Sequence, residues 1–191
     1  MNICIYGASS NDIDPTYVAA VEELGKTLAA RGHGLVFGGG AQGLMGAAAR
    51  GVTARGGSIL GVAPAFFNVD GVLYPYCTEF IYTETMRQRK QIMEDRADGF
   101  IMVPGGIGTY EEFFEMLTLK QLGRHTKPIA IYNLGGYYDL LQQLLEQTIA
   151  QGFMKPACRD LYGVFDNADA MLDYLQQAKD APVSAKDMKN I

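Results

Sequence analysis

Gly99-Phe100-Ile101-Met102-Val103-Pro104-Gly105-Gly106-Ile107-Gly108-Thr109-Tyr110-Glu111-Glu112 runs from an apolar segment through a glycine-rich turn into a helical pattern that reaches about Leu122. The apolar segment is short and bounded by turn signals, which reads as a buried strand. Glycine at the end of a strand lets the backbone approach a ligand with no Cβ in the way. The helix N-terminus beyond it offers unpaired N–H groups and the positive end of a dipole. That combination is an anion site suited to phosphate. With the helix starting near Thr109, Glu111 and Glu112 fall in its first turn. A phosphate cradle beside carboxylates points to chemistry on a nucleotide or sugar phosphate.

Working outward, strands and helices alternate. Strands are expected at Ile3–Tyr6, Gly34–Phe37, Ser58–Ala63, Phe80–Tyr82, Gly99–Val103, Ile129–Tyr132 and Leu161–Phe165. Helices are expected at Pro15–Arg31, Gln42–Arg55, Thr83–Arg96, Thr109–Leu122, Tyr137–Gln151 and Ala168–Ala178. The strands are apolar throughout, the pattern of a parallel sheet covered on both faces. The expected architecture is therefore α/β, one domain over residues 1–179 with a polar tail over 180–191. Ligands of such sheets bind at the carboxyl ends of strands, and all three glycine or serine loops lie there.

Composition narrows the function. The chain has 191 residues, 48% hydrophobic and 19% charged, with a formal net charge of −5. That charge disfavours duplex DNA or an anionic membrane as main partner. Cys4, Cys77 and Cys158 are far apart and form no metal motif, and a reducing, cytoplasmic setting fits them. His33 and His125 make no zinc pairing, so no metal is expected, and His125 reads as a helix-end marker. The first residues lack the basic start of a signal peptide, and no apolar run is long enough to span a membrane.

Three further constellations compete with structural readings. Gly38-Gly39-Gly40-Ala41-Gln42-Gly43 satisfies G-x-G-x-x-G between a strand and a helix. A dinucleotide site also needs an acidic residue about 20 positions on, and none occurs from Leu24 to Val69. Close packing through small residues explains the motif equally well, with Gly39 and Gly40 kept as candidate ligand contacts. Thr109-Tyr110-Glu111-Glu112 is also a T-x-x-E capping box, in which Glu112 would turn back to the Thr109 backbone. Met86, Arg89, Lys90 and Met93 share one helical face. That face could hold a base and a phosphate, or be a solvated helix with charges outward. Ser9 and Ser10 either donate to a ligand or shape a turn.

Together these segments resemble the Lonely Guy family of cytokinin riboside 5′-monophosphate phosphoribohydrolases, once labelled lysine decarboxylase-like. The resemblance runs from about Asn2 to Gln176. Gly38-Gly39-Gly40 with Gly43-Leu44-Met45-Gly46 looks like GGGxxGLMG, and Pro104 to Glu112 matches PGGxGTxxE at every fixed position. Gln121-Leu122-Gly123 and Gly136-Tyr137-Tyr138 look like family segments too. Met86 to Lys90 is similar to MHxRK, with Arg87 where histidine is usual, and Ala8 stands where glycine is common.

The resemblance implies a Rossmann-like fold with a central, mostly parallel sheet, a homodimer, and hydrolysis of the N-glycosidic bond of a nucleoside 5′-monophosphate, with no cofactor. It implies catalytic roles for Arg89 and Glu112, with Gly105, Gly106, Gly108 and Thr109 holding the phosphate. Ser9, Ser10, Gly39, Gly40, Met86 and Lys90 complete the candidate contacts. A carboxylate suits this reaction, because breaking the N–C1′ bond builds positive charge on the ribose. Glu115, one turn on, is a candidate second carboxylate or an outward charge. A pyridoxal enzyme would need a Schiff-base lysine and a partner for the pyridinium nitrogen, and the sequence shows no such arrangement. The alternative is a non-catalytic nucleotide or nucleotide-cofactor carrier on the same scaffold, which needs no carboxylate at the ribose.

Overall fold

The computed structural model describes residues 1–178, and the tail expected over 180–191 lies outside them. Seven strands, β1 (Asn2–Tyr6), β2 (Gly34–Phe37), β3 (Ile59–Pro64), β4 (Glu79–Thr83), β5 (Gly99–Met102), β6 (Ile129–Tyr132) and β7 (Gly163–Phe165), form one sheet. Its order is β4-β3-β2-β1-β5-β6-β7, and every neighbouring pair is parallel. Five helices lie between strands, α1 (Pro15–Ala30), α2 (Gly43–Thr53), α3 (Met86–Arg96), α4 (Ile107–Gln121) and α5 (Asp139–Ala150); α6 (Ala168–Gln177) follows β7, and β3 and β4 are joined by a loop with a 3₁₀ turn.

Side chains alternate across each strand, so two cores form on opposite faces. Ile3, Ile5, Leu35 and Phe37 pack with Val21, Leu24 and Leu28 of α1, Ala47 and Ala48 of α2, and Met171 and Leu172 of α6. Cys4, Tyr6, Val36 and Phe100 pack with Met93 of α3, Phe113 and Met116 of α4, and Leu141 and Leu145 of α5. Helices α1 and α2 meet backbone to backbone. A Cβ on Gly51 would lie 2.0 Å from the Glu22 carbonyl oxygen, and one on Gly25 would lie 2.3 Å from that of Ala48.

The strand order reverses between β1 and β5. From β1 the chain builds outward to β4, then crosses back through α3 to lay β5 on the other side of β1. Two bonds tie the reversal point together: Val103 N–H donates to the Tyr6 carbonyl (2.9 Å) and Ala8 N–H to that of Pro104 (3.0 Å). A crevice at this point is where open parallel sheets take ligands.

Several boundaries differ from the expected ones. Helix α5 starts at Asp139 rather than Tyr137, because Gly135 (φ 57°) and Gly136 (φ 75°) are left-handed and the Asn133 side chain accepts from Tyr138 N–H at 2.7 Å. Leu161 ends a 3₁₀ turn opened by Pro156 and does not start β7. Helix α4 begins two residues earlier than expected, at Ile107 with Gly106 as its N-cap.

That last shift reassigns the acidic residues. No acidic residue lies in the first turn of α4, so Glu111 and Glu112 fall in the second. Thr109 is inside the helix, and the capping-box reading of Thr109–Glu112 fails on geometry. The real box is at α3, where the Thr85 hydroxyl accepts from Gln88 N–H (3.2 Å) and the Gln88 side chain accepts from Thr85 N–H (3.2 Å).

Candidate active site

A cleft of ≈ 960 Å³ opens at the reversal point. Its floor comes from the loops after β1 (Gly7 to Ser10) and β2 (Gly38, Gly40, Gln42) and from the start of α4 (Gly106 to Thr109). Met86 and Arg89 of α3 and Glu112 of α4 complete the inner wall, and Phe67 to Leu73 supply the outer wall with Met45.

Both glycine loops lead into a helix, but only one helix end is open. At α2 the first three N–H groups are already used. Gly43 donates to the Asn11 side chain (2.9 Å), while Leu44 (2.8 Å) and Met45 (3.4 Å) both reach the Ala8 carbonyl. At α4 the first helical bond is Tyr110 N–H to the Gly106 carbonyl (3.0 Å). The N–H groups of Ile107, Gly108 and Thr109 precede it, so they lack intrahelical acceptors, and no side chain caps them. This end therefore faces the cleft as an anion site.

Two tyrosines hold the loop before it. The Tyr137 hydroxyl donates to the Gly105 carbonyl (2.8 Å) and that of Tyr138 to the Val103 carbonyl (2.7 Å). Sequence reasoning noted both tyrosines as a family segment and assigned them no task; a tyrosine pair after left-handed glycines was the available signal.

Glu112 sits one turn beyond the open helix end, 9% exposed, and Arg89 is 6% exposed. Arg89 Nη1 donates to Glu112 Oε1 at 2.7 Å. The other carboxylate oxygen has no hydrogen-bond partner among the described residues, so it is the one left for a ligand. Burial pushes the Glu112 carboxyl above its ordinary range, while the Arg89 guanidinium opposes that rise. The solvated reading of the α3 face thus fails at Arg89, which is buried and paired.

Most of the predicted contacts surround this pair. Ser9, Ser10, Gly40, Met86, Gly106, Gly108 and Thr109 line the cleft. Ser10 also shapes its own turn, its hydroxyl accepting from Asp12 N–H (3.1 Å). Three candidates do not line the cleft. Gly105 lies behind it, where a Cβ would meet Thr109 Oγ1 at 2.1 Å, and Gly39 makes a left-handed turn against the Phe80 ring. Lys90 is bound away from it by Glu111 and by Glu115 (2.8 Å), which gives Glu115 a structural task. Among the described residues no lysine lines the cleft, so pyridoxal chemistry finds no Schiff-base partner there. His125 is buried below the sheet's other end, its Nε2 donating to the Met116 carbonyl (2.9 Å).

Comparison with known proteins shows the family. The sequence model of a family described as "Possible lysine decarboxylase" matches residues 45–175. The probable cytokinin riboside 5′-monophosphate phosphoribohydrolase LOGL9 of Oryza sativa subsp. japonica is 37% identical over 92% of this chain and 77% of its own. The cytokinin riboside 5′-monophosphate phosphoribohydrolase LOG2 of Arabidopsis thaliana is 37% identical over 92% of this chain and 82% of its own. The chain belongs to the Lonely Guy family. Among solved structures, the molybdenum cofactor binding protein of Rippkaea orientalis superposes with a TM-score of 0.71 over 92% of this chain and 94% of its own, at 21% identity. The Chlamydomonas reinhardtii molybdenum cofactor carrier protein gives 0.70 over 93% and 96%, at 22% identity. These two establish the shared Rossmann-like scaffold and nothing about the ligand.

One Lonely Guy helix carries an independent liability. Lys120 of α4 is 7% exposed, and burial alone pulls its ammonium down from 10.5 to about 8. Between those values the unfolded chain binds the extra proton, so this group's contribution to stability rises with pH and is lowest below about 8. Lys120→Met is expected to stabilise by about 2 kcal/mol at neutral pH, allowing for the cation's favourable place near a helix C-terminus. Thermal unfolding across pH reads it: the gain should shrink toward zero as pH climbs past the window.

Proposed function

We propose that this protein hydrolyses the N-glycosidic bond of a nucleoside 5′-monophosphate, either AMP or an N6-modified AMP such as a cytokinin riboside 5′-monophosphate. The products are the free base and ribose 5-phosphate. The observation that carries this reading is the buried Arg89–Glu112 pair, one helical turn from the open end of α4.

The layout follows the sheet. The phosphate takes the free N–H groups of Gly108 and Thr109 at the end of β5. The ribose then lies over Glu112, and the base extends across the end of β2 toward Met45, Met86 and the 67–73 wall. As the N–C1′ bond breaks, positive charge grows on the ribose, and the free oxygen of Glu112 stabilises it or takes the proton of the attacking water. Water's oxygen bonds to C1′ as the N–C1′ bond breaks, and the base leaves with the bonding pair and takes up the proton that water gave up. Arg89, paired to the other oxygen, holds Glu112 in place and favours its ionised form. A ligand carrier would gain nothing from burying an ion pair at that point, since desolvating two charges costs free energy.

The homodimer expected of the family draws support from exposed apolar side chains, Ile107 and Phe114 of α4 and Leu140 and Leu144 of α5, on two helices that pack against the same side of the sheet. The three free cysteines suit a reducing compartment, and among the described residues no helix is long and apolar enough to cross a membrane.

The test is chromatography of AMP and isopentenyl-AMP after incubation with the purified protein. Release of free base with an equal amount of ribose 5-phosphate is expected, and the rate ratio reports the preferred base. Binding by calorimetry without release from either nucleotide would sink the hydrolase and leave the carrier.

A further inference from the structure

The three consecutive glycines after β2 do three different things. Gly39 supplies a left-handed turn (φ 77°), and Gly40 pairs with Leu73 in an isolated bridge that anchors the outer wall. Gly38 has neither task. Its φ is not in the left-handed region, so its backbone would accept alanine.

What occupies the space of its missing side chain is Arg89. A Cβ built on Gly38 would lie 2.0 Å from Arg89 Nη2, 3.0 Å from Cζ and 3.4 Å from Nε. The three nearest atoms all belong to that one guanidinium. The guanidinium therefore meets Gly38 end-on through Nη2, while Nη1 holds Glu112 Oε1 at 2.7 Å. Ordinary contact begins at 3.4 Å, so a methyl here would drive Nη2 back by more than an ångström. A planar, rigid fork moves as a unit, so the bond to Glu112 would shift with it.

We propose that Gly38 is a positioning residue for the active site: by lacking a side chain it seats the Arg89 guanidinium, and through Arg89 it fixes Glu112. Arg89 is flexible along its stem but has little freedom at its head, wedged between the end of β2 and the carboxylate. In this site the glycine acts as the wall against which the arginine is set. The kinetic consequence rests on the hydrolase reading above; the steric coupling does not.

The experiment is a double-mutant cycle with Gly38→Ala, Arg89→Ala and the two combined. In the wild-type background Gly38→Ala is expected to lower Tm, because it disrupts a buried pair. In the Arg89→Ala background the three nearest contacts of that methyl are gone, and the Tm penalty should be smaller. An equal penalty in both backgrounds, or none in either, would overturn the proposal.

Kinetics supply the second arm. Gly38→Ala should lower kcat on the order of a hundredfold, with KM changed only a few-fold, because the methyl acts on the carboxylate and not on the phosphate seat. It should also move the acid limb of the pH–rate profile upward, since a displaced Arg89 no longer favours ionised Glu112. An unchanged kcat overturns the proposal. A raised KM with kcat intact also does so, because it would mean that the methyl meets substrate directly. If wild-type protein cleaves no nucleotide, the hydrolase reading falls while the Tm cycle still decides the role of Gly38.

Discussion

Glu112→Gln is expected to abolish base release from AMP and isopentenyl-AMP, by about a thousandfold or more, while nucleotide binding survives. Glutamine keeps the size of the side chain and an oxygen to accept from Arg89, so the cleft keeps its shape. What disappears, on the proposed mechanism, is the negative charge facing the developing oxocarbenium ion and the carboxylate that accepts the proton of water. Loss of a preorganised electrostatic contact of this kind typically costs about a hundred- to a thousandfold, and loss of the proton acceptor adds to it. The phosphate seat, made of backbone N–H groups in the preceding turn, is untouched, so binding should persist by calorimetry. Turnover within a few-fold of wild type would show that Glu112 is structural.

The pH profile offers a second view of the same residue. Burial raises the Glu112 carboxyl above the ordinary glutamate value of 4.5, and the active form is the ionised one. kcat/KM should therefore climb with pH along an acid limb that lies above that value. The sign for stability is opposite. Because the folded-state value is raised, the contribution of Glu112 to stability is greatest below 4.5 and is lost as pH rises through the folded-state value. The site thus trades stability for an ionised carboxylate in a shielded place.

Arg89→Ala should damage both activity and fold. With Arg89 gone, a buried carboxylate loses the one cation hydrogen-bonded to it among the described residues, which typically costs about 3–5 kcal/mol. The protein can soften that cost by protonating Glu112, and a protonated Glu112 cannot stabilise a cationic ribose or accept a proton. Turnover at neutral pH should thus fall at least as far as in Gly38→Ala, and part of it should return at higher pH as Glu112 ionises. Thermal unfolding and a pH–rate profile check the two halves of this expectation. A profile identical in shape to wild type would mean that Arg89 does not govern the state of Glu112.

The fold was readable because each element announced itself locally. All seven strands and six helices lie where apolar runs, Pro15 and the glycine stops put them, and the parallel sheet follows from strands apolar on both faces. Helix starts were the weak point. The T-x-x-E at Thr109 imitates a cap that is not used, while the working cap, Thr85 with Gln88, hides inside a segment read for its charges. Sequence marked the glycine loop by residue type, and the family resemblance named Arg89 and Glu112, which residue type alone left open to a solvated face and a helix cap. It could not tell Lys90 from Arg89, because adjacent helix positions separate only in three dimensions: Arg89 turns under β2 and Lys90 toward Glu111 and Glu115. Nor could it tell which of two glycine loops keeps its helix end free, since that depends on Asn11 and Ala8, distant in sequence from Gly43.

That sealed end of α2 has a bearing on stoichiometry. A second anion arriving beside the first would look for another positive helix terminus, and here the Ala8 carbonyl and the Asn11 side chain have already claimed it. If the proposed seat at α4 holds one phosphate, a longer phosphate chain would find no second open helix terminus at α2, so a nucleoside monophosphate should bind more tightly than its triphosphate.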